Sequence, residues 1–345
     1  MRVRILPMDL TRTASLSFLP SFLFLLLLLQ NTSFAQFEPA TQPLASLPDK
    51  RFEGVKEDWG SPALTGSNLE PARPVVGYVN HHPGYTVELV RVQWRHADPV
   101  DLYVMKPDGV QRPPVILYLY SFPEDTDRFT NEAFQKGATN DGFAAVGFVS
   151  ALTGARYHDR PAREWFISEL QESLASSAHD VQMVLDYLAS RNDFDMNRVG
   201  MFAHGSGASI AIMASAADSR IKVLDTLDPW GDWPVWIAKS PFVPEDERAT
   251  YVQPEFLQKV AGLDPVDWLP KIQAKAFRLQ ARFFEANTPR AAEEKLCAAV
   301  PKNGTVVIYK TREDLKKMVL AGKELAWIQH ELRSVDTSTV ADKQK

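Results

Sequence analysis

The chain has 345 residues, a formal net charge of −5 and no excess of basic residues, so its composition argues against a nucleic-acid partner. Cys297 is the only cysteine, which excludes an intramolecular disulfide and leaves the hydrophobic core to hold the fold. The length suits one large α/β domain with an N-terminal extension.

The first 35 residues have the pattern of a secretory signal peptide. Three arginines, at positions 2, 4 and 12, precede an apolar run at residues 22–29, and the segment ends in Ser33, Phe34 and Ala35. A membrane anchor is the alternative, but the run is shorter than the roughly 20 residues that span a bilayer. We expect cleavage after Ala35, export to the periplasm or extracellular space, and no membrane attachment afterwards. The remaining chain has 35 basic and 42 acidic residues, a net charge of −7.

Residues 36–84 are predicted to form an extended, proline-rich leader. The segment has seven prolines and no sustained hydrophobic period. Because proline lacks a backbone donor and fixes φ, this composition argues against helices and against central strands. We expect the leader to lie along the surface of the domain.

A hairpin and a parallel sheet are predicted to follow the leader. Residues 85–94 and 100–107 alternate apolar and polar side chains, which is typical of an antiparallel hairpin. Residues 114–120 and 144–149 are continuous apolar runs typical of strands buried on both faces, with a helical segment at 130–140 between them. Strands that alternate with helices indicate a mostly parallel sheet with crossover helices.

A long helical pattern, at residues 163–191, comes next and is interpreted as two helices. Ser177 and Asp180 have the spacing of a capping box at the start of the second helix. His179 would then be a surface or capping residue. The loop before this pattern, residues 154–165, lies on the functional edge of the sheet and either lines a pocket or holds the loop in place by hydrogen bonds.

Residues 198–215, RVGMFAHGSGASIAIMAS, have the pattern of a nucleophile elbow. A buried strand runs into a turn and then into a helix of small, apolar residues. In the elbow motif GxSxG, the positions two before and two after the nucleophile must be small because the backbones nearly touch there. Here those positions are Ala203 and Gly207, and the residue midway between them is Gly205.

This segment resembles the RVGxxGHSxGG sequence of the α/β-hydrolase superfamily, as found in esterases, dienelactone hydrolases and prolyl oligopeptidases. The matching positions are Arg198, Val199, Gly200, His204 and Gly207. Ala203 replaces the first glycine of the motif, and Gly205 replaces the nucleophile. The resemblance covers residues 85–333 and implies an α/β-hydrolase fold: a mostly parallel central sheet with an antiparallel N-terminal hairpin and helices on both faces.

Ser206 is the alternative nucleophile. That register places His204 two residues before the nucleophile and Ala208 two residues after it, and an imidazole is bulky where the turn requires a small residue. The other interpretation is that Ser206 belongs to the first turn of the helix, where serine is common.

The C-terminal part of the domain is predicted to contain three more strands and a lid. Residues 221–228, 276–284 and 304–310 have strand patterns. Between the first two of these strands, residues 229–270 contain seven prolines and four of the eight tryptophans, and the resemblance implies a lid there. We expect a helix at about 289–300, one closing helix at 312–334, and a polar tail at 334–345.

The resemblance also implies where a catalytic triad would stand, and the histidine is missing there. Glu285, four residues before Pro289, has the place of the acid. The histidine should follow the last strand, but no histidine lies between His204 and His330. Loss of both nucleophile and base corresponds to a rate penalty on the order of 10⁶-fold.

Backbone amides and polar residues at the same edge form a candidate ligand site. The resemblance implies that the amides of Ser206 and Phe122 are the oxyanion donors, and a side-chain replacement does not remove such donors. Asp228 and Trp230 follow a strand at this edge and are candidate ligand-binding residues. A metal site from His204, Asp228 and Asp232 is chemically reasonable but has no supporting ligand spacing, so we expect no metal and no cofactor.

Two functional hypotheses follow. The favoured one is an exported α/β-hydrolase-fold protein without serine-hydrolase activity, which binds a small molecule with a carbonyl or carboxylate group or acts as a scaffold. The alternative is an active carboxylic-ester or peptidase-like hydrolase that uses Ser206 or a non-standard set such as His204 with Asp228.

Overall fold

The computed structural model describes residues 52–120, 122, 128–152, 156, 167–285, 287–321 and 324–341, with side chains up to residue 335. All of these belong to one compact unit, Asp49–Lys345. The predicted signal peptide, most of the loop at 154–165 and the end of the polar tail lie outside the described residues.

A nine-stranded mixed sheet forms the centre of this unit, with the order β1-β2-β3-β5-β4-β6-β7-β8-β9. The strands are β1 (Val75–His82), β2 (Tyr85–Gln93), β3 (Pro99–Pro107), β4 (Pro114–Leu119), β5 (Ala144–Gly147), β6 (Asp195–His204), β7 (Ile221–Leu227), β8 (Ala276–Arg282) and β9 (Gly304–Tyr309). The strands from β4 to β9 pair in parallel, and β1, β2 and β3 are antiparallel. The predicted hairpin and parallel sheet are therefore confirmed.

Ten helices connect these strands within the described residues. They are α1 (Glu132–Thr139), α2 (Leu170–Arg191), α3 (Ser206–Ala217), α4 (Trp233–Lys239), α5 (Arg248–Tyr251), α6 (Pro254–Ala261), α7 (Pro265–Trp268), α8 (Arg290–Ala299), α9 (Arg312–Leu320) and α10 (Ala326–Ala341). None of them has the length and hydrophobicity that a bilayer crossing requires.

The helices cover both faces of the sheet, because the central strands are apolar on both sides. One buried cluster joins the sheet to α2 and α3, with Leu174, Val181 and Ile210 among its members. The other cluster joins the opposite face to α1 and α10, through Ala138 and Ile328. The two faces meet different helices, as expected for an α/β sheet with crossover connections.

The leader contains a strand that the sequence did not predict. Val75–His82 forms β1, which pairs with β2 at one edge of the sheet. An edge strand tolerates the prolines on either side of it, because its outer backbone groups need no partner within the sheet. The prediction that the leader contains no central strand therefore agrees with the structure. The leader is not irregular throughout, however, because it contains β1.

The pattern at 163–191 forms one long helix over its described part, so the predicted capping box is wrong. Ser177 and Asp180 both lie in the middle of α2 and are fully buried. The Oγ atom of Ser177 accepts a hydrogen bond from the amide of Ala151 (2.9 Å) instead of capping a helix. Contacts with residues distant in the chain therefore determine the environment of Ser177, which the local spacing predicted wrongly.

His179 is also buried, which contradicts its assignment as a surface or capping residue. Its Nδ1 atom lies 2.6 Å from Oε1 of Glu57, and its Nε2 atom lies 2.9 Å from the carbonyl of Ser61 and 3.2 Å from that of Ala63. These contacts fasten the leader to α2.

The predicted closing helix consists of two helices. α9 ends at Leu320 and α10 begins at Ala326. α10 packs on the sheet through Ile328 and Leu332, whose side chains occupy the space that a side chain at Gly200 would fill. Ile328 and Leu332, four residues apart, lie on one side of α10, and this side packs against the sheet.

Residues 229–270 contain the four helices α4 to α7. Trp230, Trp233 and Trp236 are buried; Trp230 stacks on Trp236 with ring centroids 4.6 Å apart, and Trp233 meets Trp236 edge to face at 5.8 Å. The tryptophans therefore belong to the core, and the lid role of this segment stays a prediction.

Candidate functional site

The turn between β6 and α3 places Gly205 at its apex. β6 ends at His204 and α3 begins at Ser206. Gly205 has φ 56° and ψ −122°, a conformation that favours glycine because a Cβ atom is strained there. Its amide donates to the carbonyl of Leu227 (2.9 Å), which ties the turn to β7.

The close approach of backbones lies two residues after Gly205. A Cβ atom on Gly207 would stand 2.2 Å from the carbonyl oxygen of Leu119 and 3.0 Å from that of Tyr120. Ala208, the corresponding position if Ser206 were the apex, carries a side chain that is fully buried. The steric requirement of the elbow motif thus fits Gly205, and not Ser206, as the residue at the apex.

Ser206 is the first residue of α3, and its side chain is fully buried. Its Oγ atom accepts a hydrogen bond from the amide of Phe122 at 3.3 Å. The structure therefore brings the two predicted oxyanion residues together. However, the Phe122 amide donates to the hydroxyl of Ser206, which is the first residue of α3 and not the apex of the turn.

The Nε2 atom of His204 is buried and has no hydrogen-bond partner among the described residues. Burial, together with the positive charges of Arg282 and Arg128, lowers the pKa of His204 to about 3. The imidazole is therefore neutral at physiological pH. It contacts neither Ser206 nor Asp228 by a hydrogen bond, so the alternative catalytic set is not assembled.

Asp228 forms a buried ion pair with Arg282. It follows β7 with φ 55°, is 1% exposed, and its Oδ2 atom accepts a hydrogen bond from Nε of Arg282 at 3.1 Å and a second from Nη2. A carboxylate held in this way neutralises the guanidinium and does not orient an imidazole. The sequence placed Asp228 at the right edge of the sheet but gave no indication of this ion pair.

Glu293 in α8 joins this cluster, and sequence reasoning missed it. Its side chain is buried, and Oε1 accepts a hydrogen bond from the amide of Arg282 at 3.0 Å. Burial and the negative charge of Asp228 raise the pKa of Glu293 to about 8. Two carboxyl groups and one guanidinium thus share a buried site, and Glu293 keeps its proton near neutral pH.

We expect the Glu293→Gln variant to be more stable than the wild type at pH 9 and nearly equal to it at pH 5. A raised pKa in the folded state means that the folded protein holds a proton that the unfolded chain releases, so the wild type loses stability as the pH rises from about 4.5 to about 8. The amide imitates the protonated carboxyl group. Thermal unfolding across this pH range measures the effect.

Glu294→Gln is the matched control, because Glu294 is the next residue and is exposed. The difference in melting temperature between this variant and the wild type should not vary over the same pH range. A wild type whose melting temperature does not fall relative to Glu293→Gln above pH 8 would contradict the proton assignment.

Glu285, in the place of the triad acid, contacts arginines. Its Oε2 atom lies 3.1 Å from Nη1 of Arg282, and its Oε1 atom lies 3.5 Å from Nη2 of Arg312. β9 is followed by Thr311, which caps α9, and His330 is exposed on α10. No histidine among the described residues takes the place of the triad base.

Trp230 and Asp232 have structural partners. The Oγ atom of Ser209 accepts from the amide of Trp230 at 2.9 Å and donates to its carbonyl at 2.7 Å. Asp232 pairs with Lys295 at 2.7 Å. Within the described ranges, no three side chains of the metal-binding types are arranged to hold an ion. A ligand contact by Trp230 therefore stays a prediction.

Solved structures with the same fold are esterases and hydrolases. An acetyl xylan esterase from Paenibacillus sp. R4 is 14% identical, with a TM-score of 0.58 over 75% of this chain and 90% of that one. Acetyl xylan esterase 1 from Thermoanaerobacterium sp. JW/SL YS485 is 10% identical, with a TM-score of 0.57 over 75% and 89%. An S-formylglutathione hydrolase from Agrobacterium tumefaciens is 12% identical, with a TM-score of 0.53 over 74% and 99%.

At the sequence level, no protein-family model and no curated protein matches this chain. The likeness to these solved structures covers about three quarters of this chain. It therefore establishes the architecture and leaves the chemistry to be argued from the site. The chain has the α/β-hydrolase fold.

Proposed function

We propose that this protein is an exported α/β-hydrolase-fold protein that lacks serine-hydrolase activity and acts as a binding or scaffold protein. Export rests on the signal-peptide pattern of residues 1–35. The lack of serine-hydrolase activity is inferred from the residues around the elbow.

The observation that carries the proposal is Gly205 at the apex of the turn. The conformation of this residue and the close approach at Gly207 match the elbow geometry, and a glycine has no side chain that could attack a carbonyl. Nε2 of His204, next to it, has no hydrogen-bond partner in the described part of the chain and so activates no nucleophile there. Nucleophile and base are thus both missing from the positions where acyl transfer needs them.

The site keeps features that favour ligand binding. α3 has 12 residues, and its N-terminus carries the positive end of the helix dipole. A carbonyl or carboxylate group placed over Gly205 would meet this end of the helix without meeting a hydroxyl group. We therefore propose a small molecule with such a group as the ligand.

A fluorophosphonate probe should not label the wild-type protein, and turnover of p-nitrophenyl acetate should not exceed that of buffer. Gly205→Ser should remain inactive as well, because no histidine stands between the last strand and His330, where the resemblance implies the triad base. Mass spectrometry of the probe-treated protein and a spectrophotometric esterase assay measure the two outcomes.

The competing function is an active ester or peptide hydrolase, and the esterase names of similar structures are the observation that favours it. It predicts labelling at Ser206 and turnover that is lost in Ser206→Ala. Ser190→Ala is the matched control, because Ser190 is exposed at the end of α2. Labelling that disappears only in Ser206→Ala would overturn the inert site.

A further inference from the structure

A cleft with a volume of about 450 Å³ lies between the leader, the end of β2 and the second half of α2. Its apolar walls are supplied by Leu64 and Leu69 of the leader, Val92 and Trp94 at the end of β2, and Met183 of α2. This volume and this lining are typical of sites for small organic molecules. An apolar group that enters the cleft releases the water in contact with these walls, which favours binding.

Hydrogen bonds on two sides hold the leader in place beside the cleft. The amide of Ala72 donates to the carbonyl of Gln93 at 2.7 Å, next to the end of β2. On the α2 side, Oε1 of Gln182 accepts from the amide of Leu64 (3.3 Å), and its Nε2 atom donates to the carbonyl of Pro62 (2.8 Å). The cleft is therefore formed in the absence of a ligand, which lowers the entropic cost of binding.

The cleft is separate from the turn at Gly205. In the sheet, β3, β5 and β4 lie between β2, which lines the cleft, and β6, which leads into the turn. Neighbouring strands are about 4.8 Å apart, so β2 and β6 are about 19 Å apart. A ligand in the cleft therefore does not occupy the site at the elbow.

Among the described residues, two charged side chains line the cleft, and only the positive one lacks a partner. Arg73 is exposed, so it lies at the mouth, and it forms no ion pair with any described residue. Asp186 pairs with Nη1 of Arg220 at 2.6 Å. Arg220 also pairs with Asp218 (2.5 Å), so Asp186 keeps part of its negative charge. The free guanidinium favours one negative group at the mouth, and Asp186 disfavours a second one.

We propose that this cleft is a second binding site, which takes an amphipathic monoanion: its apolar chain lies against Val92, Trp94 and Met183, and its single carboxylate lies at Arg73. The inference does not depend on the proposed function. The site would bind the same class of ligand if the elbow were catalytically active.

Ligand-observed NMR titration with sodium octanoate tests the proposal. We expect saturable binding below about 10 mM. Hexanoate should bind more weakly, by about fourfold for each methylene removed. Octylammonium and octanedioate should bind about tenfold more weakly than octanoate or worse, because the first has the opposite charge and the second has a charge at each end of the chain. Excess acetate should not displace octanoate, since acetate has no chain to fill the cleft.

Ala72→Phe and Arg73→Gln test the apolar and the charged part of the site. A phenyl group at position 72 fills the cleft and should weaken octanoate binding by about tenfold. Arg73→Gln removes the charge and should weaken octanoate binding by about fivefold, while the affinity for 1-octanol stays unchanged. Arg333→Gln is the matched control, because Arg333 is exposed on α10, which packs on the opposite face of the sheet from α2.

Four outcomes would overturn the proposal: no saturable binding of octanoate, unchanged octanoate affinity in either folded variant, tighter binding of octylammonium, or complete displacement of octanoate by acetate. Melting temperatures of the variants show whether a loss of binding reflects a loss of fold. Arg73 is exposed and unpaired, so Arg73→Gln keeps the test decisive even if Ala72→Phe does not fold. Hydrolysis of phenyl acetate, measured in parallel, would contradict the inert elbow but not the cleft site.

Discussion

Gly207→Ala should destabilise the folded protein by about 3 kcal/mol or more, although it adds only one methyl group. The new Cβ atom would stand 2.2 Å from the carbonyl oxygen of Leu119 and 2.7 Å from its carbon. Both are backbone atoms of the central strand β4, so they have little freedom to move aside. Urea unfolding followed by circular dichroism measures the change.

Gly137→Ala is the matched control. Gly137 lies within α1, and a Cβ atom there would meet nothing within 4 Å. Alanine in a helix is favoured over glycine by roughly 0.5–1 kcal/mol, so this variant should be slightly more stable than the wild type. A Gly207→Ala protein with wild-type stability would mean that β6 and α3 do not approach β4 as described.

Asp180→Asn should destabilise the protein by about 3 kcal/mol, because it replaces a fully buried carboxylate with a neutral amide. Oδ1 of Asp180 accepts hydrogen bonds from Nε1 of Trp94 (2.9 Å) and Nη1 of Arg95 (2.5 Å), and Oδ2 accepts one from Nη1 of Arg156 (2.6 Å). In the variant, the guanidinium groups of Arg95 and Arg156 lose a negatively charged partner. Chemical unfolding at pH 7 measures the change.

The effect of Asp180→Asn should also depend on pH. Burial opposes ionisation, but Arg156 and Arg95 outweigh it and lower the pKa of Asp180 to about 2. The stabilisation is therefore complete above about pH 4 and is lost as the pH falls towards 2. The difference in free energy of unfolding between variant and wild type should become smaller over that range.

Asp101→Asn is the control for Asp180→Asn, because Asp101 forms an exposed ion pair with Arg91. Exposed pairs contribute about 0–1 kcal/mol, so this variant should stay close to the wild type at every pH. Equal effects of the two substitutions would show that the buried network contributes no more than a surface pair.

This network also explains why the leader is part of the fold. Arg95 contacts both Asp180 and Glu57, and Glu57 contacts His179. Glu57 belongs to the segment predicted to be extended, and its side chain is 6% exposed. The prolines predicted correctly that the leader contains no central strand, but they carried no information about a buried contact between Glu57 and His179 that spans 122 residues.

The hydrophobic pattern predicted most of the strands to within a few residues. Alternating and continuous apolar runs depend on local periodicity, and β2, β3, β4 and β7 follow it directly. Errors arose where a polar residue is buried by a distant partner: Ser177 and Asp180 have the spacing of a cap but bond to Ala151, Arg95 and Arg156. Spacing along the chain does not reveal such partners.

The sequence by itself determined the antiparallel hairpin, the alternation of strands and helices in a mostly parallel sheet, and the presence of a glycine where the superfamily motif has its nucleophile. Only the tertiary structure decided that Nε2 of His204 has no hydrogen-bond partner among the described residues, that Asp228 pairs with Arg282, and that Glu293 keeps a proton beside them. Hydrophobic periodicity is a property of neighbouring residues, whereas the charge state of a buried group depends on which side chains the fold brings within a few ångströms.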